Sequence, residues 1–179
     1  MTREEILSKL VRTGPHTFEL NAYSNFFNKV VKIEIFSGSS TSEVIVLSDY
    51  LVKCINEFAA YGSEEKVRIA ADVYENYKIY ISTTDYGMVS DELRVKYRND
   101  TTLANQEFFG INNPEEAYAA LTFKYAHVVE YSMEESSEET HFGMFFDRPW
   151  DDEHELQLLF ANGKYKELDW ILPEARDYE

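Results

Sequence analysis

Near the end of the chain a tryptophan is followed by three acids and a histidine, Trp150-Asp151-Asp152-Glu153-His154. They lie inside the stretch FFDRPWDDEHELQLLFANGKYKELDW, Phe145 to Trp170. Carboxylates and imidazoles hold divalent metals and shuttle protons, so a metal-dependent hydrolase would draw here on Asp147, Asp151 and His154. The spacing speaks against it. Successive residues of an extended chain point to opposite sides, so Asp151, Asp152 and Glu153 converge poorly on one ion. The sequence holds neither an H-E-x-x-H helix nor an EF-hand loop. Asp147 and Pro149 suit a tight turn. The expectation is a solvated turn over 151–153, where substitutions change stability by within about 0.5 kcal/mol, followed by a partly buried structural histidine.

The other reactive side chains read as structural. Cys54 shares a helical apolar stripe with Leu51, Ile55 and Phe58, so it is expected to be a small core residue and not a nucleophile. His127 lies on an apolar strand face and reads as core, while His16 and His141 fall at strand ends. Arg94, Lys96 and Arg98 could touch phosphate, but such a stripe more often guards an edge strand or pairs with acids of the same chain. No glycine-rich phosphate loop, G-x-S-x-G elbow or Cys-x-x-Cys is present. No catalytic residue, metal or cofactor is therefore assigned.

The elements that would position these residues follow from capping and periodicity. Thr2 and Glu5 form a capping box before an apolar stripe, and Gly14-Pro15 ends that helix. TFEL and VVKIEIF read as strands, the second with Val31, Ile33 and Ile35 inward, and EVIVL (43–47) reads as its partner after an SGSSTS turn. Ser48 caps a helix running to about Ala60. A second helix follows Ser63, its stripe formed by Val67, Ala70, Ala71, Tyr74 and Tyr77. DELRVKYRND alternates with Leu93, Val95 and Tyr97 inward, which predicts a strand. Asn113, Pro114 and Glu116 open a helix. Residues 123–131 fit both a strand and a continued helix, and their β-branched and aromatic content favours strand. HFGMFF, HELQLLF and KYKELDW complete a meander.

Asn162-Gly163 marks the last hairpin. A strict two-residue loop would set Leu158 opposite Glu167, with acids on the core face. A three-residue loop with a bulge at Gly163 instead sets Leu156 against Leu168 and His154 against Trp170, and is the expected register. The fold class is α+β: an antiparallel sheet with a C-terminal four-strand meander and helices packed on one face. It forms one domain over 1–179, with the N-terminal helix 3–12 at its periphery.

Charge narrows the function. The formal net charge is −16, which opposes nucleic-acid binding, since that rests on basic side chains neutralising phosphates. Residues 132–179 carry 14 acids and 4 bases, a net of −10 in about a quarter of the chain. Glu134, Glu135, Glu138 and Glu139 crowd one end of the expected meander, and Asp151, Asp152 and Glu153 the other. Their mutual repulsion costs stability, and a basic protein partner would account for it. One cysteine, no apolar run of membrane-spanning length and a polar, acidic N-terminus point to a cytoplasmic protein without membrane contact.

The stretch from Phe145 to Trp170 resembles a group of small bacterial domains that end in a W-D-x-E-H segment running into an N-G hairpin. Some of these stand beside polymorphic or contact-dependent toxins as immunity proteins. Trp150, Asp151, Glu153, His154, Asn162 and Gly163 match, over about 26 residues; the group has glycine after the histidine where this chain has Glu155. The motif is structural there and lends no catalytic residue. The resemblance implies a non-enzymatic immunity protein that neutralises a cognate toxin, a basic nuclease-type effector domain. The partner-binding residues are then expected among Glu134, Glu135, Glu138, Glu139, Asp151, Asp152 and Glu153. The alternatives are the metal-dependent hydrolase above and a non-catalytic housekeeping interaction module.

Overall fold

The structure, a computed structural model, describes residues 1–130 and 139–169. Among these the chain forms α1 (Arg3–Lys9), β1 (Val11–Arg12), β2 (Thr17–Ser24), β3 (Lys29–Ser37), α2 (Asp49–Ala60) and α3 (Lys66–Thr83). There follow α4 (Asp91–Lys96), α5 (Thr101–Phe109), α6 (Pro114–Ala119), β4 (Thr122–Glu130), β5 (His141–Arg148), β6 (Asp151–Ala161) and β7 (Lys164–Asp169). The strands form one sheet in sequence order, antiparallel throughout except that β3 and β4 run parallel. The fold is α+β, and β4 to β7 make the C-terminal meander. The helices of residues 49–119 form the crossover that a parallel β3–β4 junction requires.

One row of cross-strand partners spans the sheet: Leu20, Ile33, Ala126, Met144, Leu158 and Leu168. The first five are buried and Leu168 packs at the margin. Phe18, Ile35 and Val128 form a parallel row on the same face. Leu51, Cys54, Ile55 and Phe58 of α2 and Ile69, Val73, Tyr77 and Ile81 of α3 join the same apolar core. The helix termini are set by the anticipated groups: Thr2 with Glu5, Ser48 with the Leu51 amide, and Asn113 with the Glu116 amide. α1 stops at Lys9, before Gly14-Pro15. It is docked, with Ile6 fully buried, the Met1 amine donating to Asn56 at 2.5 Å and Arg3 paired with Asp49 at 2.6 Å.

Several expectations are corrected. Residues 43–47 form no strand, because the free side of β3 is taken by β4 (Ile33 opposite Ala126). Val46 is instead held by serines, accepting from Ser37 Oγ at 2.9 Å and donating to Ser40 Oγ at 2.8 Å. Residues 91–96 are helix α4, not a strand. Ser90 caps it, Asp91 and Glu92 sit at the positive end of its dipole, and Arg94 and Lys96 sit at the negative end. Arg94 bonds Asp85 at 2.7 Å and Lys96 pairs with Glu107, so these two of the three basic residues are spent within the chain, while Arg98 is exposed. On α3 the buried stripe is Ile69, Ala70, Val73, Tyr77 and Ile81, while Val67 and Ala71 face outward.

β4 is a strand, but its core residues are Ala126 and Val128. A register shift between Phe123 and Tyr125 leaves Phe123 opposite Phe146 on the helix side and turns Tyr125 to the other face, stacked on Phe145 at 4.8 Å. His127 follows Tyr125 to that second face; burial there lowers its pKa, only partly offset by the nearby charge of Glu34.

The expected three-residue loop does not form, and the extra residue lies in β7. Asn162 and Gly163 have φ of 50° and 68° and close a two-residue turn with Ala161 opposite Lys164. The shift comes between Leu159 and Phe160, where Lys166 is the unpaired residue of β7, so Leu158, not Leu156, opposes Leu168. The predicted partner of His154, Trp170, lies outside the described residues.

Candidate functional site

The turn joining β5 to β6 carries the acids and histidine of Asp151 to His154. Arg148, the last residue of β5, is fully buried, with 0% of its side chain exposed, and Asp151 at the start of β6 shows 7%. The two form an ion pair. Arg148 also donates to Asn76 Oδ1 at 3.1 Å and to Tyr80 Oη at 2.9 Å, with its guanidinium 4.5 Å from the Tyr80 ring centroid. The Trp150 indole donates to the same Asn76 oxygen at 3.1 Å, and the Trp150 carbonyl accepts from Tyr86 Oη at 2.7 Å. Asp151 Oδ1 accepts from the amides of Glu153 and His154, both at 3.2 Å.

This is a lock that clamps the hairpin turn onto α3. Burial alone would raise the Asp151 pKa. Hydrogen bonds from Arg148 and Tyr80, with the Arg148 charge, outweigh burial and hold the carboxyl below its ordinary value. Of the acids expected to be solvated, Asp152 and Glu153 are exposed, whereas Asp151 is turned inward and consumed. His154 is not partly buried: its side chain is 58% exposed, with Nδ1 3.3 Å from Asp151 Oδ1. Asp147 points elsewhere and pairs with Lys124 at 3.2 Å. Among the described residues no three His, Cys, Asp or Glu side chains gather as a metal site. Cys54 is buried and its thiol is pushed up to about 12 by burial, which suits a core residue.

At the far end of β6 the acids are placed differently. The β6–β7 turn, the end of α2 and residues 61–65 enclose a groove of about 540 Å³ lined by Glu57, Glu64, Glu65, Tyr61, Gly163 and Lys164, among others. Glu57 accepts from the Thr140 hydroxyl and lies 3.9 Å from Lys53. Glu65 accepts from the Tyr165 amide at 2.7 Å and from Tyr61 Oη at 3.2 Å. Glu64 has no basic partner among the described residues. A Cβ placed at Gly163 would meet the Glu57 side chain at 3.8 Å, an ordinary contact, and it is the positive φ that favours glycine in this turn beside the groove.

Glu139 reaches the same end. Asn162 donates to it at 3.4 Å, and Thr140 and Asn162 exchange main-chain and side-chain bonds. Glu134, Glu135 and Glu138 lie outside the described residues. Of the expected contact residues, Glu139 is thus placed beside the groove, while Asp152 and Glu153 sit about 33 Å away along the eleven-residue strand. Glu57 and Glu65 lie 3.9 and 3.7 Å from Lys53 and Arg68, and Lys164 also lines the groove, so Glu64 is the groove acid left to attract a cationic group.

Among the described residues no helix is long and apolar enough to cross a membrane. Comparison with known proteins finds no curated protein and no solved structure that matches. The model of one protein family matches residues 12–170, from β1 through the last strand, and the chain belongs to that family, a domain of unknown function (DUF6985).

Proposed function

We propose that this protein is a cytoplasmic immunity protein that binds and neutralises a cognate bacterial toxin, a basic nuclease-type effector domain, through acidic surface. The observation that carries this reading is the groove bearing Glu57, Glu64 and Glu65, with Glu139 at its side. It stands at the end of the sheet from which the acid-rich segment 134–139 enters β5. A chain of net charge −16 draws a basic partner from a distance, and fast capture is what an inhibitor of a lethal enzyme requires. The resemblance of residues 145–170 to immunity-like domains points the same way.

Co-expression with the toxin encoded beside its gene is expected to rescue growth; no rescue and no complex would sink the proposal. The contact surface is tested by charge reversal. Replacing Glu134, Glu135, Glu138 and Glu139 by Lys, or Glu64 by Lys, is expected to slow association by at least about tenfold at low salt, with the deficit shrinking as salt rises. Asp152→Lys with Glu153→Lys, at the far end of β6, is expected to leave the on-rate within about twofold. Equal on-rates for every variant at low salt would discard acidic capture.

A further inference from the structure

Asn162 is the one asparagine of the chain that is followed by glycine. A glycine amide has no Cβ beside it, so its nitrogen is the least hindered that can attack an asparagine carboxamide. Asn162 is exposed to solvent, and Gly163 follows it in the β6–β7 turn with φ of 68°. The pair therefore has the chemistry for spontaneous deamidation.

The fold restrains that chemistry, because the Asn162 side chain is held from the opposite direction. Its Oδ1 accepts from the Thr140 amide at 3.2 Å, and its Nδ2 donates to Glu139 at 3.4 Å. The Asn162 amide in turn donates to the Thr140 carbonyl at 2.9 Å. Thr140 is 1% exposed, and its hydroxyl donates to Glu57 of α2. This latch continues the β5–β6 ladder one step beyond the pairing of His141 with Ala161. It keeps the carboxamide on the β5 side of β6, whereas at Gly163 the main chain turns toward β7. For the Gly163 nitrogen to reach Asn162 Cγ, the carboxamide must leave Thr140, which strips a buried amide of its acceptor.

We propose that Asn162-Gly163 is a fold-gated deamidation site, closed while the Thr140 latch holds and reactive whenever the β6–β7 turn opens. In the open turn the Gly163 nitrogen gives its proton to solvent and bonds to Asn162 Cγ. The Cγ–Nδ2 bond breaks, and the nitrogen takes a proton from solvent and leaves as ammonia. Water then adds to either carbonyl of the cyclic imide. Opening on one side gives aspartate. Opening on the other gives isoaspartate, whose main chain runs through the former side-chain carbon and is longer by a methylene. Either product replaces the amide donor with a carboxylate facing Glu139, and the longer chain no longer fits the Ala161–Lys164 pairing that closes the turn. Deamidation to isoaspartate thus unlatches the turn irreversibly, whatever the neighbouring groove binds.

Incubation of the full chain at fixed pH and temperature, with mass spectrometry of the tryptic peptide ending at Lys164, tests this. Asn162 in the folded chain is expected to convert at least about tenfold more slowly than in the chain unfolded in guanidinium chloride. Thr140→Pro removes the latching amide, and is expected to speed conversion in the folded protein by at least about threefold. Should that variant fail to fold, the wild-type chain in sub-denaturing guanidinium chloride carries the test. There, conversion of Asn162 and hydrogen exchange of the Thr140 amide are expected to accelerate by the same factor, because one opening exposes both. Three results would each overturn the proposal. They are equal rates at Asn162 in the folded and unfolded chains, a folded Thr140→Pro variant no faster than wild type, and Thr140 exchange that accelerates while Asn162 conversion stays unchanged.

Discussion

Asp151→Ala is expected to destabilise the protein by about 3 kcal/mol, because it leaves the fully buried Arg148 guanidinium without its counter-charge. Asn76 and Tyr80 still accept from Arg148, which keeps the cost near the lower end for a broken buried pair. Asp152→Ala and Glu153→Ala, one and two residues further on and exposed, are expected to stay within about 0.5 kcal/mol. Urea denaturation at pH 7 separates the three. The pair also sets a pH dependence. The folded-state pKa of Asp151 is depressed, so its contribution is complete above the unfolded value near ~4 and is lost as pH falls through the lower folded value. Wild type should therefore lose stability faster than Asp151→Asn in that acidic window. An Asp151→Ala variant as stable as Asp152→Ala would show that the ion pair does not hold the turn.

The same residues show how far sequence reasoning reached. Capping chemistry is local, so Thr2, Ser48 and Asn113 with Pro114 announced three helices from residues within four positions of each other. Strand β3 was equally legible from its alternation. What failed depended on distant partners or on ambiguous periods. Leu93 and Tyr97 are separated by four residues, a spacing that serves a strand face and a helix face alike, and six residues cannot decide between them. The Val44–Leu47 run looked like the partner of β3 because nothing local says that residues 126–130 take that place. Two register shifts, between Phe123 and Tyr125 and between Leu159 and Phe160, reversed or moved faces that strict alternation would have kept.

The candidate site divides along the same line. Arg148 is the single base among nine acids between residues 132 and 163, a signal that one acid has an internal partner. That signal could have identified Asp151 as the consumed acid, since the two are three residues apart across a tight turn. The groove carried no such mark. Glu57, Glu64, Glu65 and Gly163 come from two separate regions about a hundred residues apart, and only the docking of the β6–β7 turn on the end of α2 brings them together.

Trp150→Ala is expected to cost about 3–5 kcal/mol, the range for deleting a large buried aromatic. Trp150 is almost wholly buried, packs edge-on against Tyr77 at 5.2 Å and donates its indole N–H to Asn76. Trp150→Phe keeps much of the packing and loses the indole bond. Asn76 Oδ1 retains the Arg148 donor, so no buried acceptor is orphaned and the cost falls to about 1–2 kcal/mol. Because Trp150 and Arg148 share one oxygen of Asn76, Trp150→Ala and Asp151→Ala are expected to couple by at least about 0.5 kcal/mol in a double-mutant cycle. The proposed capture surface lies at the other end of β6, so Trp150→Phe, studied below its melting temperature, should associate with a basic partner at the wild-type rate. A loss of stability in Trp150→Ala below about 1 kcal/mol would mean that the hairpin turn is not anchored through this side chain. A slowed on-rate in the folded Trp150→Phe variant would place the contact at the β5–β6 turn and not at the groove.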